Sequence, residues 1–197
     1  NGAAWGDFNN DGLFDIWAAN FKREDDVFLN SGGDEPWNND DRPIFASATQ
    51  DVIPVDYDKD GWLDVFAPGL QMAFGHGPTE QEHKYTSVLY KNSTLDSTNL
   101  NNNWVFITLE GAKGTIEDLG WTTEANRSAI GARVYIHLSD KIIMREVIAG
   151  KGHGSMDPLQ LHFGLGDNFS INQIQFNVNS KYMVGGGAGR NPFFKKI

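Results

Sequence analysis

The feature that most limits what this chain can fold into is a nine-residue aspartate loop that occurs twice. Asp7-Phe8-Asn9-Asn10-Asp11-Gly12-Leu13-Phe14-Asp15 and Asp56-Tyr57-Asp58-Lys59-Asp60-Gly61-Trp62-Leu63-Asp64 align without a gap, 49 positions apart. The likeness runs beyond the loops, from Ala3 to Ala19 and from Val52 to Pro68, and a strand-like stretch ending in asparagine follows each: Val27 to Asn30, and Val88 to Asn92. A repeat of this period is that of propeller blades and related arrays, whose units each need a neighbour to cover an apolar face. At ordinary Asp and Gly frequencies one match in such a chain arises by chance at roughly a few in ten thousand. Two in equivalent positions therefore mark a true repeat.

Within each loop, oxygen-bearing side chains recur at alternate positions, with a glycine after the third and a carboxylate at the ninth. They are Asp7, Asn9, Asp11 and Asp15 in the first loop, and Asp56, Asp58, Asp60 and Asp64 in the second. Gly12 and Gly61 permit the sharp turn that aims the next carbonyl inward, so the Leu13 and Trp62 carbonyls complete each set. An all-oxygen set suits Ca2+. Zinc would want imidazole or thiolate, and magnesium keeps its waters. The closing acid comes at the ninth position and strand residues follow at once, unlike the twelve-residue loop of a helical EF-hand. Such strings also make metal-free turns, but seven carboxylates in two tight turns favour cations. Two Ca2+ sites are predicted, the Asp56 loop the tighter because it has four carboxylates against three.

The balance of charge agrees. A formal net charge of −10 at pH 7 leaves no basic surface for nucleic acid or an anionic membrane. Zero cysteines exclude disulfides, thiolate-bound metals and thiol catalysis. No apolar run reaches the ~18 to 20 residues of a membrane span. The opening Asn-Gly-Ala-Ala-Trp has the look of a chain cut from something processed or longer.

Strand signals dominate the rest: Phe14 to Ala18, Leu63 to Phe66, Trp104 to Leu109, Ala132 to Leu138, Ile142 to Ile148, Leu159 to Phe163 and Ile171 to Val178. No stretch has the period of an amphipathic helix. Gly69 to Lys84, with Gly75-His76-Gly77-Pro78 inside it, reads as a loop inserted in the second repeat. Polar Ser93 to Asn103 reads as a linker. The expected organisation is residues 1–100 with the two repeats, 101–182 as a different β domain, and 183–197 as a glycine-rich tail.

At the aspartate loops and the Asn-ended strands the first 95 residues resemble FG-GAP/VCBS repeats. Asn103-Trp104-Val105, Asn126 to Val134, Arg145-Glu146-Val147, Gly152-His153-Gly154-Ser155 and Leu161 to Gly166 resemble, in order and spacing, the ASPIC/UnbV domain. The resemblance implies an all-β fold of partial integrin-like β-propeller blades followed by a β-sandwich-like domain, secreted or at the cell surface. Two repeats fall short of the about seven blades of a closed propeller. Either further blades lie upstream of Asn1, or the open repeats pack on the second domain or on another subunit.

Other constellations carry less. His153, Ser155 and Asp157 lie too close in sequence for a nucleophile, base and orienting acid; a turn at 152–155 is the better reading, with His162 a half-buried strand residue. His76 and His83, near Glu80 and Glu82, could form a minor metal site. Arg133 is expected in a buried pair with Glu146, and Trp37, Trp62 and Trp121 are core residues or a carbohydrate or protein platform. The three Asn-X-Ser/Thr sites, at Asn92, Asn126 and Asn168, matter only on a eukaryotic secretory route. The expectation is a non-catalytic extracellular Ca2+-binding interaction or adhesion module with a protein or carbohydrate partner. The rivals are an architectural subunit that self-assembles through open sheet edges, and an accessory domain of an exported enzyme.

Overall fold

The computed structural model describes residues 2–20, 25–34, 36–39, 49–68, 87–93, 102–111, 113–116, 121–124, 127–152 and 155–178. Among these every regular element is a strand, so the fold is all-β as expected. No helix of the described residues is long and apolar enough to cross a membrane. The expected loop at 69–84, its histidines, most of the linker, His153 and the glycine-rich tail lie outside the described residues.

Strands β1 (Ala3–Gly6), β2 (Asp15–Ala18), β3 (Asp26–Asn30) and β4 (Trp37–Asn39) form one antiparallel meander. β5 (Ile53–Val55), β6 (Asp64–Ala67) and β7 (Val88–Tyr90) form a second. The repeat seen in sequence is thus a repeat of structure. Gly6 pairs with Asp15 as Val55 pairs with Asp64, and Ile16 pairs with Phe28 as Val65 pairs with Tyr90. Each aspartate loop is the connection between the first two strands of its meander. The sequence reading missed β1 and β5, which are short edge strands; β5 is interrupted by Pro54, which an edge strand tolerates.

The meanders stack face to face. Ala4, Phe8 and Ala19 of the first share a core with Val52, Leu63, Val65 and Ala67 of the second. Trp17 lies across the seam, 5.6 Å from Tyr90. Asp25 ties the seam polar-side, accepting from the Trp17 indole at 3.1 Å and from Thr49 Oγ1 at 2.5 Å.

The remaining strands are β8 (Asn103–Ile107), β9 (Lys113–Ile116), β10 (Trp121–Glu124), β11 (Ala132–His137), β12 (Ile142–Glu146), β13 (Leu161–Gly166) and β14 (Gln173–Val178). The sheet β12-β11-β14 and the pair β13-β8 share a second core around Val134, Ile136, Ile143, Leu161, Phe163 and Leu165. β13 is buried on both faces. Leu161, Phe163 and Leu165 point into that core, so by the two-residue period of a strand His162 and Gly164 point the other way. They meet the aspartate loops.

One expectation changes at this level, and the choice left open for the tryptophans is decided at two of them. Arg133 does pair with Glu146, at 2.6 Å, but on the open face of the sheet, with its side chain 44% exposed. Trp62 is 2% exposed and belongs to the interior, whereas Trp37 is 42% exposed.

Candidate functional site

The two loops trace one path. Asn10 and Lys59 both adopt positive φ, 58° and 61°, and Gly12 and Gly61 follow at 92° and 94°. A side chain at either glycine would be strained in that region, which is why both repeats keep glycine there. The closing carboxylates are held alike. Asp15 accepts from Phe8 N–H and Asn30 N–H, each at 2.8 Å; Asp64 accepts from Tyr57 N–H at 3.1 Å and Asn92 N–H at 2.7 Å. The opening carboxylates Asp7 and Asp56 accept from Gly12 and Gly61 N–H at 2.9 and 3.0 Å. Leu13 and Trp62 give their N–H to Asp11 and Asp60 at 2.8 and 2.9 Å. The Asn at or just past the end of each third strand also reaches back through its amide, Asn30 to Phe14 O and Asn92 to Leu63 O.

In the second loop Asp56, Asp58 and Asp64 each bring a carboxylate oxygen within 4.8 Å of the others, a cluster able to hold a metal ion. Asp58 is exposed and bonded to Lys91 Nζ at 2.6 Å, and Lys91 lies 3.6 Å from Asp60. That lysine is 53% exposed, so the cation balancing this loop stands in solvent. The Lys91 bond lowers the Asp58 pKa, while burial raises those of Asp56 and Asp64.

The first loop has Asn9 where the second has Asp58, so one carboxylate is lost. It is also sealed. Asp7 and Asp15 are fully buried, and burial pushes their pKa values up to about 7 and about 6, against the pull of Arg145 and of backbone N–H groups. Asp7 Oδ2 accepts from Gly164 N–H at 3.1 Å and lies 3.6 Å from Arg145 Nη2. Asp7 Oδ1 is buried with no hydrogen-bond donor among the described residues. Such an oxygen is costly to leave so, by about 1–3 kcal/mol or more for a charged group, and this is the observation that fits a cation. Asn9 bonds within the loop, its amide to Asp11 Oδ2 at 2.9 Å.

The C-terminal strands supply what the sequence reading did not foresee. Arg145, on β12, is 6% exposed; it lies over the Phe14 ring at 3.7 Å and donates to His162 O and to Gly12 O. Burial lowers its pKa to about 10, so it stays charged. Lys141 Nζ donates to Asp11 O at 2.5 Å, and Lys151 Nζ reaches Val52 O and Asp157. Asn10 Nδ2 donates to Gly61 O at 3.1 Å, and His162 Nε2 meets the same carbonyl at 3.2 Å. A carbonyl only accepts, so His162 carries its proton on Nε2; burial lowers its pKa to about 4 and keeps it neutral. His162 is buried rather than half-buried. Two glycines make the close approach: a side-chain carbon at Gly164 would overlap Asp7 and the Asn10 backbone, and one at Gly61 would overlap the Trp104 ring.

Gly152 and Ser155 form a β-bridge, the turn expected there, and Asp157 is engaged by Lys151 at 2.7 Å. Residues 122–177 match the family model described as ASPIC and UnbV, a stretch that includes β11 to β13, Arg145, His162 and Gly164. Comparison with curated proteins returns no match.

Proposed function

We propose that this chain is a non-catalytic, calcium-stabilised interaction module of the secreted or cell-surface type, with Ca2+ as a structural ion in both aspartate loops. The observation that carries the reading is the convergence of Asp56, Asp58 and Asp64 in a loop whose backbone path is repeated at Asp7, where Asp7, Asp11 and Asp15 do not gather in the same way. Asp56, Asp58, Asp60, Asp64 and the Trp62 carbonyl hold one ion. Asp7, Asn9, Asp11, Asp15 and the Leu13 carbonyl hold the other. The ion supplies charge balance and cross-links loop to strand. The ASPIC/UnbV match at residues 122–177 supports an accessory module of the extracellular type.

Chelation tests it. At free calcium a hundred times Kd each ion adds about 2.7 kcal/mol, so excess chelator should lower the Tm by on the order of 10 °C. An unchanged melt would sink the reading.

One observation favours an architectural role as well. The face of the first meander that carries Trp17 packs on the face of the second that carries Val65. By the repeat, the second meander's counterpart of the Trp17 face bears Phe66 and Leu89, which are 37% and 46% exposed. The first meander's counterpart of the Val65 face bears Trp5, 54% exposed, with Phe14 and Trp37 beside it at 6.4 and 6.1 Å. Each open face therefore matches one that is covered inside the molecule, the pattern of a head-to-tail contact. Sedimentation across a concentration series tests self-assembly, and a monomer at every concentration leaves the aromatic face for a protein or carbohydrate partner.

A further inference from the structure

We propose that the Asp7 loop is a calcium-dependent joint, in which Asp7 gives one carboxylate oxygen to the ion and the other to the C-terminal strands. This rests on the calcium reading above and assigns the two sites different work.

Asp7 faces two ways. Its Oδ2 is taken by Gly12 N–H, Gly164 N–H and the Arg145 guanidinium. Its Oδ1 is buried and has no donor among the described residues. In the second loop the matching atom, Asp56 Oδ1, accepts from Asp60 N–H at 3.1 Å, so the unmet oxygen belongs to the sealed loop alone. Charge points the same way. Asp7, Asp11 and Asp15 bring three negative charges against the two positive charges of Arg145 and of Lys141, whose Nζ sits on Asp11 O, so the loop keeps a net negative charge that a cation would offset.

The joint is more than one bond. Gly166 N–H donates to Asn10 O at 2.8 Å, Lys141 to Asp11 O, and Arg145 to Gly12 O. Successive residues of the loop are thus gripped by β12, β13 and the turn between β11 and β12. A loop fixed by an ion presents these groups in one arrangement, and β13 docks on it. The Asp56 loop meets the same strands through the Gly61 backbone, while Asp58 faces solvent with Lys91. Its ion steadies its own meander.

The test is hydrogen exchange of the full chain, read by mass spectrometry over 161–166 with calcium and with chelator, alongside calorimetric counting of bound Ca2+. The variants are Asp11→Asn, whose side chain bonds within its own loop, and Asp58→Asn. The native chain should bind two ions, and calcium should slow exchange across β13 about tenfold or more. Asp58→Asn should weaken one site and keep that slowing; Asp11→Asn should lose it. The proposal is overturned if calcium binds the native chain without protecting 161–166, or protects it equally in Asp11→Asn. It is also overturned by a single native ion that Asp58→Asn loses and Asp11→Asn retains, since Arg145 and Lys141 would then supply the first loop's positive charge without a metal. A chain that binds no calcium removes the calcium reading itself and this inference with it.

Discussion

The Asp7 and Asp56 loops follow the same backbone path, left-handed at Asn10 and Lys59 alike, and share all but one of the N–H bonds that each repeat makes to its opening and closing carboxylates, the exception being Asp60 N–H to Asp56. Yet Asp7 is sealed beneath β13, and Asp58 faces water. Their counter-charges differ accordingly: Arg145 is 7% exposed at the side chain and held by several acceptors, whereas Lys91 is 53% exposed. Local sequence sets the loop; what lies against it sets whether its carboxylates face water or another part of the chain.

The comparison can be broken most forcefully at the two cations. Arg145→Met leaves Asp7 buried without its partner, and removing one member of a buried pair costs about 3–5 kcal/mol. Lys91→Met, on an exposed pair, should leave the metal-free melt nearly unchanged. Equal losses in urea denaturation would show that burial does not separate the loops.

The paired glycines come next. Gly12→Ala and Gly61→Ala both force a side chain into a left-handed conformation, about 1–2 kcal/mol. At Gly12 the new carbon would meet the ends of Lys141 and Ile143, at 2.9 Å each, which can shift; at Gly61 it would overlap the Trp104 ring. Gly61→Ala should therefore cost about 1–3 kcal/mol more, measured by the same denaturation.

A smaller effect is pH dependence. Asp7 and Asp15, raised by burial to about 7 and about 6 from 3.8, bind protons more readily folded than unfolded. Their contribution to the metal-free chain is thus fully present below about pH 4 and is lost as pH rises to about 7. His162, lowered from 6.5 to about 4, works the other way over the lower part of that window. Two carboxylates outweigh one imidazole, so the chelated chain should melt higher at pH 5 than at pH 7. Because protons compete for the same oxygens, the gain in Tm from calcium should shrink toward pH 5. Asp15→Asn should flatten both trends.

The smallest effect is on affinity alone. Lys91→Ala removes the cation that competes at Asp58 and Asp60. Calcium affinity at the Asp56 loop should rise severalfold, with the Asp7 loop unaffected.

The loops, their following strands and the asparagines that end them were legible because their bonds are local: a carboxylate, a glycine and a β-run decide them. Strand ends such as those of β13 were placed to within three residues. Arg145, Gly164 and His162 were not foreseen as site residues, because they meet the loops across more than a hundred residues of chain. A trace of the signal was present. Ile143, Arg145 and Val147 alternate along one strand, and all three are buried; that parity puts Arg145 inside and leaves Arg133, paired with Glu146, outside. The reading chose the wrong arginine by weighing Arg133's apolar neighbours in sequence rather than the parity of the facing strand. β4, β9 and β10 were missed because Trp-Asn-Asn, Lys-Gly-Thr-Ile and Trp-Thr-Thr-Glu lack the alternation that announces a half-buried strand.

The central claim is that one loop design serves as two calcium sites in different surroundings. Calorimetric titration of the metal-free full chain with Ca2+ at pH 7 tests it most directly. The account predicts two ions per chain, the first uptake lost in Asp56→Asn and the second in Asp11→Asn; the absence of any saturable calcium heat would contradict it.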